Sequence, residues 1–213
     1  MGYHRAGLEV VGVDLHPQPN YPFEIAQGDA LTFFDSRWIG RNFDAIHASP
    51  PCQAHSSIGR QARDRDATLM HVDLIPQTRA LLAATGLPWV IENVPGAPIR
   101  RDIILCGSTF NLGATCLDGT YRQLRRHRWF ETNWPVGMVA PCQHDGEAIG
   151  VYGTGGGGHM QHSYKARPAE AREAMGIDWM AQKELSQAIP PAYCTFIGEQ
   201  LMQHIRTKDT THA

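Results

Sequence analysis

The chain has 213 residues and a mass of 23.6 kDa, with 42% apolar and 19% charged residues. That length and balance suit one domain carrying a small lobe, and they exclude bulk disorder and a coiled coil. Its 19 Lys+Arg against 21 Asp+Glu leave a net charge of −2, so binding to nucleic acid would need positive charge gathered locally.

In chain order, Gly7 reads as a helix-ending glycine, so Met1–Ala6 predicts the last turn of a helix. The apolar run Leu8–Val13, ending at Asp14, predicts a buried strand. Asp44–Ala48 predicts a second strand, which runs into Ser49, Pro50, Pro51 and Cys52, where the prolines stop sheet pairing. Pro76–Ala84 predicts a helix with proline in its first turn, ended by Gly86 and Pro88. Trp89–Ile91 predicts a third strand that leads into Glu92, Asn93 and Val94. Ile103–Leu105 and His127–Phe130 are shorter strand candidates. Pro168–Met175 predicts a helix stopped by Gly176. Tyr193–Ile205 predicts a C-terminal helix, with Tyr193, Phe196, Ile197, Leu201 and Ile205 at three- and four-residue spacing. The polar tail Thr207–Ala213 is expected to fray. Short apolar strands alternating with helices argue for an α/β fold with a mostly parallel sheet.

No apolar run approaches the roughly 18 residues that a bilayer crossing needs, and the N-terminus lacks the apolar stretch of a secretory signal. The five cysteines (52, 106, 116, 142 and 194) show no CxxC spacing, so neither a disulfide framework nor export is expected, and the compartment expected is the cytoplasm. Cys52 with His55, and Cys142 with His144, each offer half of a zinc site. The preferred reading is scattered thiols and surface histidines, and no metal is expected. A zinc-bound interaction module is the minor alternative. Gly153, Gly155 and Gly158 satisfy GxGxxG, but no helix follows promptly, so a dinucleotide site is rejected in favour of a loop.

Ligands of parallel sheets sit beyond the carboxyl ends of the strands. Three strand ends carry chemistry here: Asp14, Cys52 and Glu92. An acid after an early strand suits ribose hydroxyls. A cysteine in the next loop suits a nucleophile. A glutamate after a buried strand suits hydrogen bonds to a heterocycle. Each also has a plainer reading, as a buried thiol or a helix cap.

Pro51-Cys52-Gln53 followed by Glu92-Asn93-Val94 resembles the two central motifs of the DNA (cytosine-5)-methyltransferases. Arg126-His127-Arg128 is similar to that family's arginine motif. Arg167–Ile177 and Glu184–Leu201, with its paired prolines, are similar to the closing motifs. The matches run in family order over nearly the whole chain.

The resemblance implies a Rossmann-like methyltransferase fold with S-adenosyl-L-methionine as cofactor. It implies catalytic roles for Cys52 (attack on cytosine C6), Glu92 (N3 and the amino group), Arg126 and Arg128. It implies cofactor contacts from Asp14 (ribose), Asp29 (adenine), Pro51 and Ser186. The partner implied is double-stranded DNA with a flipped cytosine, a base otherwise out of reach inside the helix. Gln53, Ser56, Arg60 and Arg125 are expected on the DNA. Gln53–Asp66 reads either as a loop closing behind the flipped base or as a solvated loop whose arginines pair with Asp64 and Asp66.

The implied organisation is a catalytic core over 1–130, a short target-recognition lobe over 131–176 and a closing segment over 177–213, in a monomer of the small phage or prophage kind. Two departures qualify it. The family's opening strand and Phe-x-Gly-x-Gly cofactor loop are absent, and a segment of about 15–20 residues upstream of Met1 is expected. The recognition lobe is short, so a target of few bases is expected. A DNA-binding relative without catalysis and an RNA cytosine methyltransferase are the alternatives.

Overall fold

The computed structural model describes residues 1–33, 36–55, 72–153, 159–160 and 163–211. The chain is mixed α/β, with several sheets and both strand orientations. Helix α1 (Gly2–Arg5) is a single turn, and Gly7 at φ +92° releases the chain from it. Strands β1 (Val11–Asp14) and β2 (Glu24–Gln27) form a parallel pair in register Val11↔Glu24 to Asp14↔Gln27. Helices α2 (Ala30–Phe33) and α3 (Ser36–Asn42) lead to β3 (Ile46–Ala48). Helix α4 (Ile75–Thr85) precedes β4 (Trp89–Asn93) and β5 (Ile103–Leu105). After a 3-10 turn at Gly107–Phe110 come β6 (Gly113–Thr115), β7 (Tyr121–Gln123) and β8 (Arg128–Thr132). Strands β9 (Ala148–Gly150), β10 (His159–Met160) and β11 (Ser163–Lys165) follow. Helices α5 (Pro168–Met175), α6 (Gln182–Leu185) and α7 (Pro191–Thr211) close the chain.

The central sheet has the order β3-β4-β8-β5. Strands β3 and β4 are parallel, while β8 runs antiparallel to both β4 and β5. Strands β3, β4 and β5 of this sheet therefore run in one direction and β8 alone is reversed, while among the described residues the other strands pair in separate small sheets. The connection from β5 to β8 holds a 3-10 turn and the β6–β7 hairpin rather than a crossover α-helix, so β8 returns antiparallel.

Strand β4 is buried along its whole length and feeds two cores by alternation. Trp89 and Ile91 pack with Ile75 and Leu82 of α4 on one face. Val90 packs with Phe130, Tyr193, Ile197 and Leu201 on the other, under α7. Glu92 follows the parity of Val90 and so faces the α7 side. A third core joins Ala114 and Leu124 of the hairpin region to Ile149, Tyr164, Met175 and Leu185. The hairpin therefore packs with residues 148–185 rather than with the central sheet. Helix α7 crosses α1 closely, because Gly2 and Gly198 leave no side chain between them: a methyl group on Gly198 would lie 2.8 Å from the Ala6 methyl.

Helix α5 matches its predicted range, and α4, β3, β4, β5 and β8 match theirs within two residues, while β2, β6, β7, β9, β10 and β11 are not predicted from the sequence. Two predictions are corrected. The strand predicted from Leu8 begins at Val11. Helix α7 continues to Thr211 instead of fraying from Thr207, since no glycine or proline follows Gly198 to stop it. Among the described residues no helix is long and apolar enough to cross a membrane.

Candidate active site

The parallel register of β3 on β4 (Ile46↔Trp89, His47↔Val90, Ala48↔Ile91) brings two segments to the same sheet end. These are residues 49–52 and residues 92–94. They are tied together by the Asn93 side-chain amide, which donates from Nδ2 to the buried Pro50 carbonyl at 3.0 Å. Cys52 is half-buried, and Pro51 and Gln53 are exposed. The Cys52 carbonyl accepts the His55 N–H at 2.9 Å, and His55 Nε2 lies 3.0 Å from Asp73 Oδ1 at the start of α4. The proposed nucleophile therefore sits in a turn anchored to the rest of the fold. Ser56 and Arg60, and the rest of the loop to Asp66, lie outside the described residues.

Glu92 is the centre of this end of the sheet. It is 5% exposed, and its Oε1 lies 2.8 Å from Arg128 Nε as an ion pair. That contact lacks hydrogen-bond geometry, so Oε1 is a buried acceptor with no hydrogen-bond partner. Burial pushes the Glu92 carboxyl above its ordinary range, against the opposing pull of Arg128, a Ser49 hydrogen bond and Arg126. A relay that sequence reasoning missed approaches from the other side. The Tyr3 hydroxyl is 2.6 Å from His47 Nδ1, and His47 Nε2 is 3.0 Å from Ser49 Oγ. Burial lowers the pKa of His47 to about 4, so its ring is neutral at pH 7. The only sequence signal was a polar residue inside an otherwise apolar strand.

The two arginines of the Arg-x-Arg pattern part company. Arg128 keeps Glu92 company and donates from Nη1 to the His127 carbonyl at 2.9 Å. Arg126 is buried, and its fork is spent on backbone carbonyls: Ala188 at 3.1 Å, Val151 at 3.2 Å and Ser186 at 2.6 Å. Burial, and then repulsion from Arg128, lower its pKa to about 10, yet it stays charged at neutral pH. Tyr193 donates its hydroxyl to the Arg126 carbonyl at 2.6 Å. Arg126 thus binds the closing segment to the sheet, while Arg128 faces Glu92. Arg125 donates to the Gly146 carbonyl at 2.6 Å.

Asp14 and Asp29 are brought to one edge by the β1–β2 pair. Asp14 ends β1 and Asp29 follows β2 by two residues, and the Gly28 N–H donates to the Asp14 carbonyl at 2.9 Å. Each carboxylate spends Oδ1 on a nearby backbone N–H, from His16 and Leu31 respectively. Ser186 is turned inward on its own helix, donating to the Lys183 carbonyl at 2.7 Å. A small cavity of about 130 Å³ beside α1 is lined by Tyr3, Tyr21, Trp179, Met180 and Cys194, among others. Another hollow, of about 490 Å³, lies at Arg100 and Trp134, and none of the predicted site residues lines it.

No protein-family model matches the chain, and no curated protein matches it at a significant level.

Proposed function

We propose that the chain is an S-adenosyl-L-methionine-dependent methyltransferase acting on cytosine C5 in DNA. The observation that carries this reading is the convergence of the Cys52 turn with a buried glutamate whose Oε1 has no hydrogen-bond donor, clamped by Asn93 to Pro50. Buried polar atoms are nearly always satisfied, so a buried oxygen with an ion pair but no hydrogen bond, at the sheet end that also leads into Cys52, supports a site that takes a polar ligand. The Rossmann-like reading is supported by the order β3-β4-β8-β5 and by the separate β2-β1 pair.

The chemistry follows from the residues. The Cys52 thiolate adds to C6 of the flipped base, and the electron pair of the C5–C6 double bond moves to C5. Glu92 holds N3 and the exocyclic amino group. Its raised pKa favours the protonated carboxyl that donates to N3 and offsets charge in the adduct. Arg128, beside Glu92, stabilises the charge that develops on the ring carbonyl. Once the C5 electron pair has taken up the methyl, loss of the C5 proton to solvent re-forms the C5–C6 double bond and expels the thiolate from C6. Asp14 and Asp29 fit the nucleoside half of the cofactor, with Asp14 toward the ribose hydroxyls and Asp29 toward the adenine amino group. Bound there, the cofactor supplies the electrophilic methyl. Arg126 serves as a positioning residue.

The test is transfer of a labelled methyl group from S-adenosyl-L-methionine to mixed-sequence duplex DNA, with Cys52→Ala as control and the product mapped to C5. Label that requires Cys52 supports the reading. Salt-sensitive DNA binding that ignores the cofactor, without any transfer, overturns it in favour of a DNA-binding relative.

A further inference from the structure

A second cluster of reactive side chains lies outside the proposed catalytic groups. Cys106 follows β5, His127 precedes β8, and Cys142 and His144 sit in the segment between β8 and β9. Their four ligand atoms all lie within 4.8 Å of one another. Cys106 Sγ is 3.3 Å from His144 Nε2, and Cys142 Sγ is 3.5 Å from His127 Nε2. These pairs are 38 and 15 residues apart in sequence, so the fold rather than chain proximity assembles them. The two imidazole rings meet edge to face at 5.1 Å.

We infer that Cys106, His127, Cys142 and His144 form a structural zinc site. Two thiolates and two neutral imidazoles make a closed tetrahedral donor set of the structural zinc kind. With Zn–S near 2.3 Å and Zn–N near 2.0–2.1 Å, the sulfur-to-nitrogen edges of that tetrahedron are about 3.6 Å. The observed edges of 3.3 and 3.5 Å fall close to this value. Two independent thiol–imidazole hydrogen bonds would have no reason to stack into one cluster. Two thiolates neutralise the divalent ion, and Ser108 Oγ, 3.3 Å from Cys106 Sγ, is placed to support that ligand from outside.

The site ties three chain segments together at the ends of β5 and β8. Residues 133–147 hold no helix or strand, and the ion would fasten them to the ends of β5 and β8. It would also fix His127, whose carbonyl receives Arg128 and whose neighbour Arg126 grips the closing segment. The inference does not rest on the proposed methyl transfer.

The full-length chain, expressed with zinc in the medium and purified under reducing conditions without chelator, is expected to carry one zinc per chain by plasma mass spectrometry. Cobalt(II) exchanged into the chain is expected to give the intense visible bands of a tetrahedral thiolate site. Loss of a supporting group around zinc costs about 10–100-fold in affinity, so Cys142→Ser and His144→Ala, which each remove a ligand, are expected to exceed about 100-fold. Cys52→Ser and His55→Ala are expected to leave the metal in place. A chain that carries no zinc as purified and shows no cobalt spectrum overturns the inference. So does metal binding that survives Cys142→Ser and His144→Ala unchanged.

Discussion

Two buried glutamates on neighbouring strands show how differently the same group is used. Glu131 on β8 is wholly buried and saturated: Arg79 grips both of its oxygens at 2.8 Å, Arg100 Nη1 reaches Oε1 at 3.1 Å, and the Arg100 N–H donates to Oε2 at 3.0 Å. Burial works to raise its pKa, but the Arg79 and Arg100 contacts outweigh it, and the carboxyl ends below its ordinary range. Glu92 on β4 has one ion pair and an oxygen without a hydrogen bond, and burial prevails, so its pKa rises. Strands β4 and β8 pair Ile91 with Glu131 and Glu92 with Phe130, so the two acids stand one register step apart. The saturated carboxylate is cross-linking a structure. The under-supplied one is, in the proposed function, the group that meets the substrate base.

The largest effect that separates the two regions is on turnover. Cys52→Ala is expected to abolish methyl transfer, by a factor on the order of 10⁴ or more, the scale of losing a covalent nucleophile. Its unfolding midpoint is expected to stay put, as read by thermal melting. Glu92→Gln is expected to lower transfer about 10²–10⁴-fold, as for other acid–base groups. Its stability is expected to change less than that of Glu131→Gln, because Glu92 carries one ion pair and Glu131 carries two. Glu131→Gln inverts this pattern: urea unfolding is expected to show a loss of about 1–3 kcal/mol, from the charge-assisted bonds of Arg79 and Arg100, screened because both guanidiniums are partly exposed and Arg100 keeps Asp102. Equal stability losses at the two glutamates would break the comparison.

The two arginines sharpen it further. Arg128→Lys keeps a charge near Glu92 but loses the planar fork, and its cost is expected in kcat with little change in melting temperature. Arg126→Lys is expected to cost about 1–3 kcal/mol of stability, since the Ala188, Val151 and Ser186 carbonyls cannot all be recovered by one ammonium. Denaturant titration beside steady-state kinetics reads both. If Arg126→Lys proves as stable as the parent yet inactive, Arg126 contacts substrate after all.

The smallest effect is the pH dependence of stability. The folded pKa of Glu131 is lowered, so its contribution is present above the unfolded carboxylate range and fades as pH falls through the lowered value. The folded pKa of Glu92 is raised, so its contribution is full below the unfolded value and is lost as pH rises through the raised one. Glu92→Gln is therefore expected to gain on the parent as pH rises from 4 to 7. Glu131→Gln is expected to lose its disadvantage toward acid. Unfolding free energies measured across that window check both signs.

Local chemistry was legible in the sequence wherever a few residues decide the backbone. Pro168 at the first helical position and Gly176 at φ +64° bracket α5, and Gly86 at φ +69° ends α4, because proline fixes one dihedral and glycine tolerates the other. The apolar run at Trp89 announced β4. Strand β2 (EIAQ) and the three-residue strands β6, β7 and β9 carry no such signal, and they exist because neighbours pair with them. By itself the sequence determined the order of the chemistry-bearing segments: an acid at the end of the first predicted strand, Cys52 after the second, Glu92 at the end of the third. Only the tertiary structure decided which of these meet. It split Arg126 from Arg128 by burying one against carbonyls, joined Asn93 to Pro50 across the sheet, and drew Cys106 and His127 to Cys142 and His144 over long separations. Such contacts depend on strand register and the path of the return segment, which are set by packing of the whole chain rather than by any short stretch of it.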